Sequence, residues 1–281
     1  MGITIVTDST CDLLPSFLGE RGIRFAPLKV LFKDREYVDK LDLTNAEFYE
    51  KMRKSDELPT TSQVNPSEFY DIFTEELQKG NQIIGIFISS ELSGTFNSAN
   101  IAKEMLDSKE IHLIDSRTAS FSLGLMVMKI YNLIEQGNDV TEIMRKSKEI
   151  VNSAQLYGML DTLENLKKGG RLSTGAATIG KMLNIKPIIE VVDGVVSVAH
   201  KARGSRKGLA WMIDQLERDY PLREIKEIAI ANANAYERAE ELKEELLLRF
   251  KIDHIYDIEV GSVVGTHTGE GVVGIAYFKQ H

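Results

Sequence analysis

Residues 83–95 read Ile83-Ile84-Gly85-Ile86-Phe87-Ile88-Ser89-Ser90-Glu91-Leu92-Ser93-Gly94-Thr95, and helical periodicity continues from there to Leu106. A short apolar run without alternation is the mark of a strand buried on both faces. The hydroxyl-rich turn that follows opens a helix over 94–106. Hydroxyls and free backbone amides thereby gather at a helix N-terminus, where unpaired N–H groups and the helix dipole favour an anion. No Gly-Lys-Ser/Thr follows, as a phosphate-cradling loop requires. Glu91 stands where the hydrolase pattern G-x-S-x-G needs its first glycine.

The same unit repeats outward in both directions. Towards the N-terminus, 3–7 reads as a buried strand and 15–21 as a short helix closed by Gly22. Segments 28–32 and 36–38 flank a turn at 33–35, a β excursion. Thr44 and Glu47 form a capping box for a helix over 45–54, and Asn65-Pro66 opens another that stops at Gly80. Towards the C-terminus come a strand over 111–114 and helices over 121–136 and 141–153. Strands separated by such helices predict a parallel sheet with helices on both faces. Beyond residue 155 the pattern changes. A strand over 155–160 and a short helix over 162–168 precede segments 187–192 and 195–199, joined by Asp193-Gly194, a hairpin signal. A helix over 205–219, a strand over 225–231, a helix over 235–250 and strands over 254–259 and 272–278 complete the chain. The expected fold is α/β: a doubly wound, mostly parallel domain over 1–155, with an excursion near 28–64, then a smaller α+β domain over 156–281. A ligand crevice is expected between them.

The chain has 281 residues, 43% hydrophobic and 27% charged, with 34 Lys plus Arg against 42 Asp plus Glu. Such a composition fits a soluble globular protein and excludes disorder, a collagen repeat and a disulfide scaffold. At roughly 150 residues per domain the length suggests two. Cys11 is the one cysteine, which suits a reducing, cytoplasmic compartment. The apolar run before Asp8 is too short for a signal peptide or membrane span. A pI near 5.3 opposes nucleic acid as a partner. The net charge of −8 is uneven, however. Residues 165–213 hold nine bases and two acids, a local +7 that leaves −15 elsewhere. That window is either a solvated face or a site for an anion or acidic partner.

Three expected strands end in small polar groups: Thr7-Asp8-Ser9-Thr10, Ser89-Ser90 and Asp115-Ser116. Ligands of open parallel sheets bind beyond such ends, although Asp8 and Asp115 read best as caps. Pro59-Thr60-Thr61-Ser62-Gln63 is a second hydroxyl-rich loop. Gly265-Thr266-His267-Thr268-Gly269-Glu270-Gly271 places glycines around one histidine between two strands, where imidazole can serve a carboxylate neutral or protonated. Paired cysteines and H-E-x-x-H are absent from the sequence, so no metal site is expected. Ser93 with His267 leaves a serine hydrolase or acyl transferase open, without an identifiable orienting acid.

In chain order, Thr7-Asp8-Ser9-Thr10-Cys11-Asp12-Leu13, the loops at 59–63 and 89–95, Asp115-Ser116, Leu166-Lys167-Lys168-Gly169-Gly170-Arg171-Leu172-Ser173, Lys201-Ala202-Arg203 and Gly265-Thr266-His267-Thr268-Gly269 form a set. On that set the chain closely resembles the DegV family, bacterial fatty-acid-binding proteins that serve as the FakB subunit of fatty acid kinase. The resemblance implies one long-chain fatty acid buried between two domains. Its carboxylate would be held by Thr61 and Ser93, beside Arg203 and His267, with Ser62, Gly94, Thr95 and Thr266 on the rim. Lys167, Lys168, Arg171 and Lys181 would form an outer face toward the kinase subunit or an anionic membrane. It implies no catalytic residue, cofactor or metal: a carrier presents the carboxylate to a separate ATP-dependent kinase, and the acyl phosphate feeds phospholipid synthesis. Glu270 departs from the family's glycine loop, which often carries proline there. The rival classes are the Ser93/His267 hydrolase and an interaction module docking through its basic window, the lipid a structural ligand. A carboxylate taken from water without donors costs several kcal/mol, whereas each buried CH₂ returns ~0.8 kcal/mol.

Overall fold

A computed structural model describes residues 2–33, 35–173 and 184–280. Lys181, expected on the outer face, lies outside them.

The first half begins with β1 (Ile3–Asp8), a 3-10 turn at Ser9–Cys11, α1 (Pro15–Gly19) and β2 (Arg24–Ala26). β3 (Lys29–Leu31) and β4 (Glu36–Val38) form the excursion, α2 (Asn45–Lys54) follows, and β5 (Thr60–Ser62) returns to it. Then come α3 (Pro66–Gln78), β6 (Gln82–Phe87), α4 (Thr95–Leu106), β7 (Ile111–Asp115), α5 (Ser120–Glu135) and α6 (Val140–Ser153). β1, β2, β6 and β7 make a parallel sheet of order β2-β1-β6-β7, and β4-β3-β5 is a small antiparallel sheet. The Thr44/Glu47 capping box forms as expected, with Glu47 N donating to Thr44 Oγ1 and Thr44 N to Glu47 Oε2.

The second half holds β8 (Ala154–Met159), α7 (Glu164–Lys168), β9 (Ile185–Val192), β10 (Val195–Arg203), α8 (Ser205–Asp219), β11 (Glu224–Asn232), α9 (Tyr236–Arg249), β12 (Lys251–Glu259), α10 (Ser262–Thr268) and β13 (Val273–Phe278). Its six strands run β10-β9-β8-β13-β11-β12, with only β11 and β12 parallel. Asp193 and Gly194 close the β9–β10 hairpin at φ 52° and 83°, the two left-handed residues that a two-residue turn uses.

Helix α5 explains how the sheets stay together. From Ser120 to Met128 every residue is buried, so this part has no solvent face to offer, while Lys129, Asn132 and the exposed Glu135 mark the end that reaches the surface. The helix packs on β1 on one side and on β8, β11 and β13 on the other. One apolar core therefore runs from Ile5 and Ile84 through Phe121 to Ile189 and Ala276.

Three segments differ from expectation, the first being residues 24–26, which form β2 parallel to β1 where no strand was expected. Residues 60–62 are a strand rather than a loop, because Thr61 pairs with Val30 of β3. A three-residue polar strand carries no alternation to reveal it. Residues 262–268 are a helix where a glycine loop was expected, its start fixed by contacts with distant residues.

Candidate functional site

Small sheet, α4 turn, second sheet and α10 converge on a cavity of about 350 Å³. Its walls are mainly apolar: Leu28 and Ile88 from the first half, Phe121 from α5, Leu156 and Ile189 from the second sheet, and Val263 from α10. Thr61, Ser62, Ser93, Gly94, Arg171 and His267 also line it.

Separate hydrogen bonds hold those polar groups in the wall. The β5 edge presents Thr61, whose Oγ1 lies 2.8 Å from His267 Nε2. After β6 the chain turns as Leu92 N and Ser93 N donate to Ser89 O, which brings Ser93 to the head of α4. Ser93 Oγ is 2.9 Å from Thr95 Oγ1. Gln63, next to Ser62, reaches α4 and donates to Ser98 Oγ at 2.9 Å. The Gly169-Gly170 turn that ends α7 brings Arg171 N back to Leu166 O. Its guanidinium then donates from Nε to Leu92 O at 3.2 Å and from Nη1 to Gly169 O at 2.6 Å.

Two groups set the electrostatics. Burial, with a smaller contribution from the Arg171 charge, pushes the His267 imidazole down to about 4, so the ring is neutral at neutral pH. Its Nδ1 is buried without a hydrogen-bond partner among the described residues. Among the described residues Arg171 has only backbone oxygens as hydrogen-bond partners, and no carboxylate pairs with it. A half-buried guanidinium without a counter-charge is disposed to take an anion.

The expected site residues therefore divide. Thr61, Ser62, Ser93, Gly94 and His267 come together on the cavity wall. Arg203 does not: it is exposed at the end of β10, paired with Ile185. The base in the wall is Arg171, expected on the outer face and carried inward by the glycine turn. Thr95 is buried with its hydroxyl on Ser93, and Thr266 is buried with its hydroxyl on Ser262 O, so neither lines the cavity. Lys167 and Lys168 are exposed on α7. Asp8 caps the turn at Ser9–Cys11 as expected, accepting from Thr10 N and also from Ile88 N, whereas Asp115 caps no helix: it accepts from Ser90 and Arg117 N, and Ala119 is the N-cap of α5. Glu270 accepts from Arg53 of α2 and from Asn234, which ties down the loop after α10.

For acyl hydrolysis the geometry is poor. Ser93 is bonded to Thr95 rather than to His267, and no carboxylate orients the His267 ring among the described residues. Nor does any group of three or more His, Cys, Asp or Glu side chains among them have the arrangement to hold a metal ion. No helix of the described residues is long and apolar enough to cross a membrane.

Comparison with known proteins gives this cavity a context. The family profile described as "Uncharacterised protein, DegV family" matches residues 2–280. Protein DegV of Bacillus subtilis is 33% identical over 278 residues, covering 99% of each chain. Among solved structures, a fatty-acid-binding DegV family protein from Thermus thermophilus superposes with a TM-score of 0.93 at 29% identity, covering 100% of both chains. The Streptococcus pneumoniae fatty acid kinase (Fak) B3 protein, loaded with linoleic acid, gives 0.86 at 26% identity, again over 100% of both. Matched along its whole described length, the chain belongs to the DegV family.

Proposed function

We propose that this protein is a non-catalytic carrier of a long-chain fatty acid. The observation that carries the proposal is an apolar cavity whose wall also carries Thr61, Ser93, His267 and Arg171, with Thr61 on His267 and Arg171 anchored to Leu92 O beside Ser93. The tail occupies the apolar part and gains ~0.8 kcal/mol per CH₂. The carboxylate takes hydroxyl donors from Thr61 and Ser93, the amides at the head of α4, and the charge of Arg171. In this scheme Arg171 takes the place first assigned to Arg203. The bound acid is presented to a separate ATP-dependent kinase subunit in the cytoplasm, and the acyl phosphate enters phospholipid synthesis. Lys167 and Lys168, exposed on the helix that ends at the Arg171 turn, form part of the surface that meets the kinase or anionic lipid, where each base contributes ~1 kcal/mol near a membrane. In this reading the chain divides into two domains near residue 155, and the fatty acid lies between them.

Mass spectrometry before and after denaturation tests the carrier function: release of fatty acid of one or two chain lengths supports it, and no released lipid contradicts it. Thr61→Ala and Ser93→Ala should each weaken fatty-acid affinity about tenfold, the 1.4 kcal/mol expected for one donor to a charged group. Unchanged affinity in a direct titration overturns the head-group assignment. With ATP alone the protein should form no acyl phosphate; with the kinase subunit added, it should.

A further inference from the structure

Behind the cavity wall, Asp12, Asp39, Lys40, Ser120 and Ser262 meet, all buried. Asp12 Oδ2 accepts from Ser120 Oγ at 2.5 Å, and Oδ1 from Gly261 N at 2.9 Å. Asp39 Oδ1 accepts from Ser262 Oγ at 2.5 Å. The Lys40 ammonium lies 3.6 Å from Asp12 Oδ1, and among the described residues neither it nor Asp39 Oδ2 has a hydrogen-bond partner.

Such a joint is costly to build. Charges taken out of water are recovered only by good geometry, and apolar side chains of similar volume often do as well or better. Asp12, Lys40 and Ser120 also hold φ of 58°, 67° and 57°, a left-handed region unfavourable to non-glycine residues. Gly261 has no room for a side chain: a Cβ would fall 2.6 Å from Asp12 Oδ1 and 2.8 Å from Lys40 Nζ. Backbone strain and buried charge concentrated at one place point to a functional constraint.

Its position supplies the constraint. Ser120 lines the cavity, Val260 and Val263 beside Gly261 and Ser262 line it too, and Asp39 N donates to Leu28 O of the opposite wall. The small sheet thus touches α10 at two polar points. One is Asp39 with Ser262 at the start of the helix, and the other is Thr61 with His267 near its end. On the fatty-acid reading above, we infer that Lys40 is a positioning residue for the head-group site. By neutralising Asp12 and Asp39 it fixes the start of α10 against the small sheet, and so holds His267 opposite Thr61. An arriving carboxylate competes for the Thr61–His267 contact, and the buried cluster keeps helix and sheet in register while that contact opens.

The test is the double variant Lys40→Met with Asp12→Asn, which leaves the net charge of the cluster unchanged. Oleic acid affinity is measured by calorimetry, and the ligand-free His267 midpoint by NMR. Arg171 is the charged group acting on that ring. The expected result is a folded protein with at least tenfold weaker oleic acid binding and a His267 midpoint raised from about 4 towards the ordinary 6.5. A folded double variant that keeps affinity within twofold and the wild-type midpoint overturns the inference. Ser262→Ala, which removes one hydroxyl, should move the midpoint the same way by less; no movement in it also overturns the inference. Failure of the wild type to bind oleic acid counts against the carrier function instead, and the His267 midpoints still decide the role of Lys40.

Discussion

A methyl group added at Gly169 would fall 2.3 Å from His267 Nδ1 and 3.1 Å from Asn165 O. The backbone there is helical, φ −74° and ψ −8°, so alanine would otherwise suit it better than glycine. Its effect should therefore fall on the imidazole. Gly169→Ala is expected to weaken fatty-acid binding about tenfold, ~1.4 kcal/mol, and to lower stability in urea by about 1–3 kcal/mol, the range typical of overpacking. Equal affinities in a calorimetric comparison would show that the ring tolerates displacement. Thr61, Ser93 and His267 were legible in the sequence because hydroxyls and a histidine stand out in short glycine- and proline-bounded segments. Which base turns inward was not. Arg171 and Arg203 belong to the same basic window, and only the turn at Gly169-Gly170 separates them. Gly169 carried no signal at all, since its importance lies in a residue about a hundred positions away.

The β9–β10 hairpin reaches across to the first sheet. Ser89 Oγ donates to Gly194 O at 2.8 Å, and Arg117 donates to Asp193 O, so the hairpin tip braces the turn that holds Ser93. Gly194 has φ 83°, and a Cβ there would lie 2.5 Å from Ser89 Oγ. Gly194→Ala should thus cost about 2–4 kcal/mol, combining left-handed strain with overpacking. A urea midpoint within error of wild type, at unchanged slope, would sink that expectation. Long elements and this hairpin were legible because periodicity and an Asp-Gly turn are local signals. β5 and α10 were not. One is held by pairing with β3, the other by Asp12 and Asp39 at its start, and both supports are long-range.

Acid response belongs to the whole molecule, because its buried groups pull in opposite directions. His267 is held down to about 4 by burial, so its contribution to stability is complete above its ordinary 6.5 and lost as pH falls towards 4. Asp8 and Asp12 are pushed up to about 6 by burial, so the fold binds their protons more tightly than the unfolded chain. Their penalty is greatest above pH 6 and shrinks as pH falls towards the ordinary 3.8. His267→Gln removes only the first of these opposing effects. Relative to wild type, the variant should gain stability between pH 6.5 and 4, by up to about 3 kcal/mol at ~1.4 kcal/mol per tenfold change in proton affinity. A difference flat with pH in urea titrations would show that the ring titrates like a free one. Strand β13 has a consequence of another kind. It follows every other strand in the chain, yet lies inside the second sheet between β8 and β11. On the ribosome, β8 and β11 therefore wait with a gap between them until β13 is made. At about 5–20 residues per second, the growing chain exposes two unpaired strand edges for several seconds. The cavity wall is thus incomplete until β13 has been made, so on the carrier reading a nascent chain captures no lipid before that strand emerges.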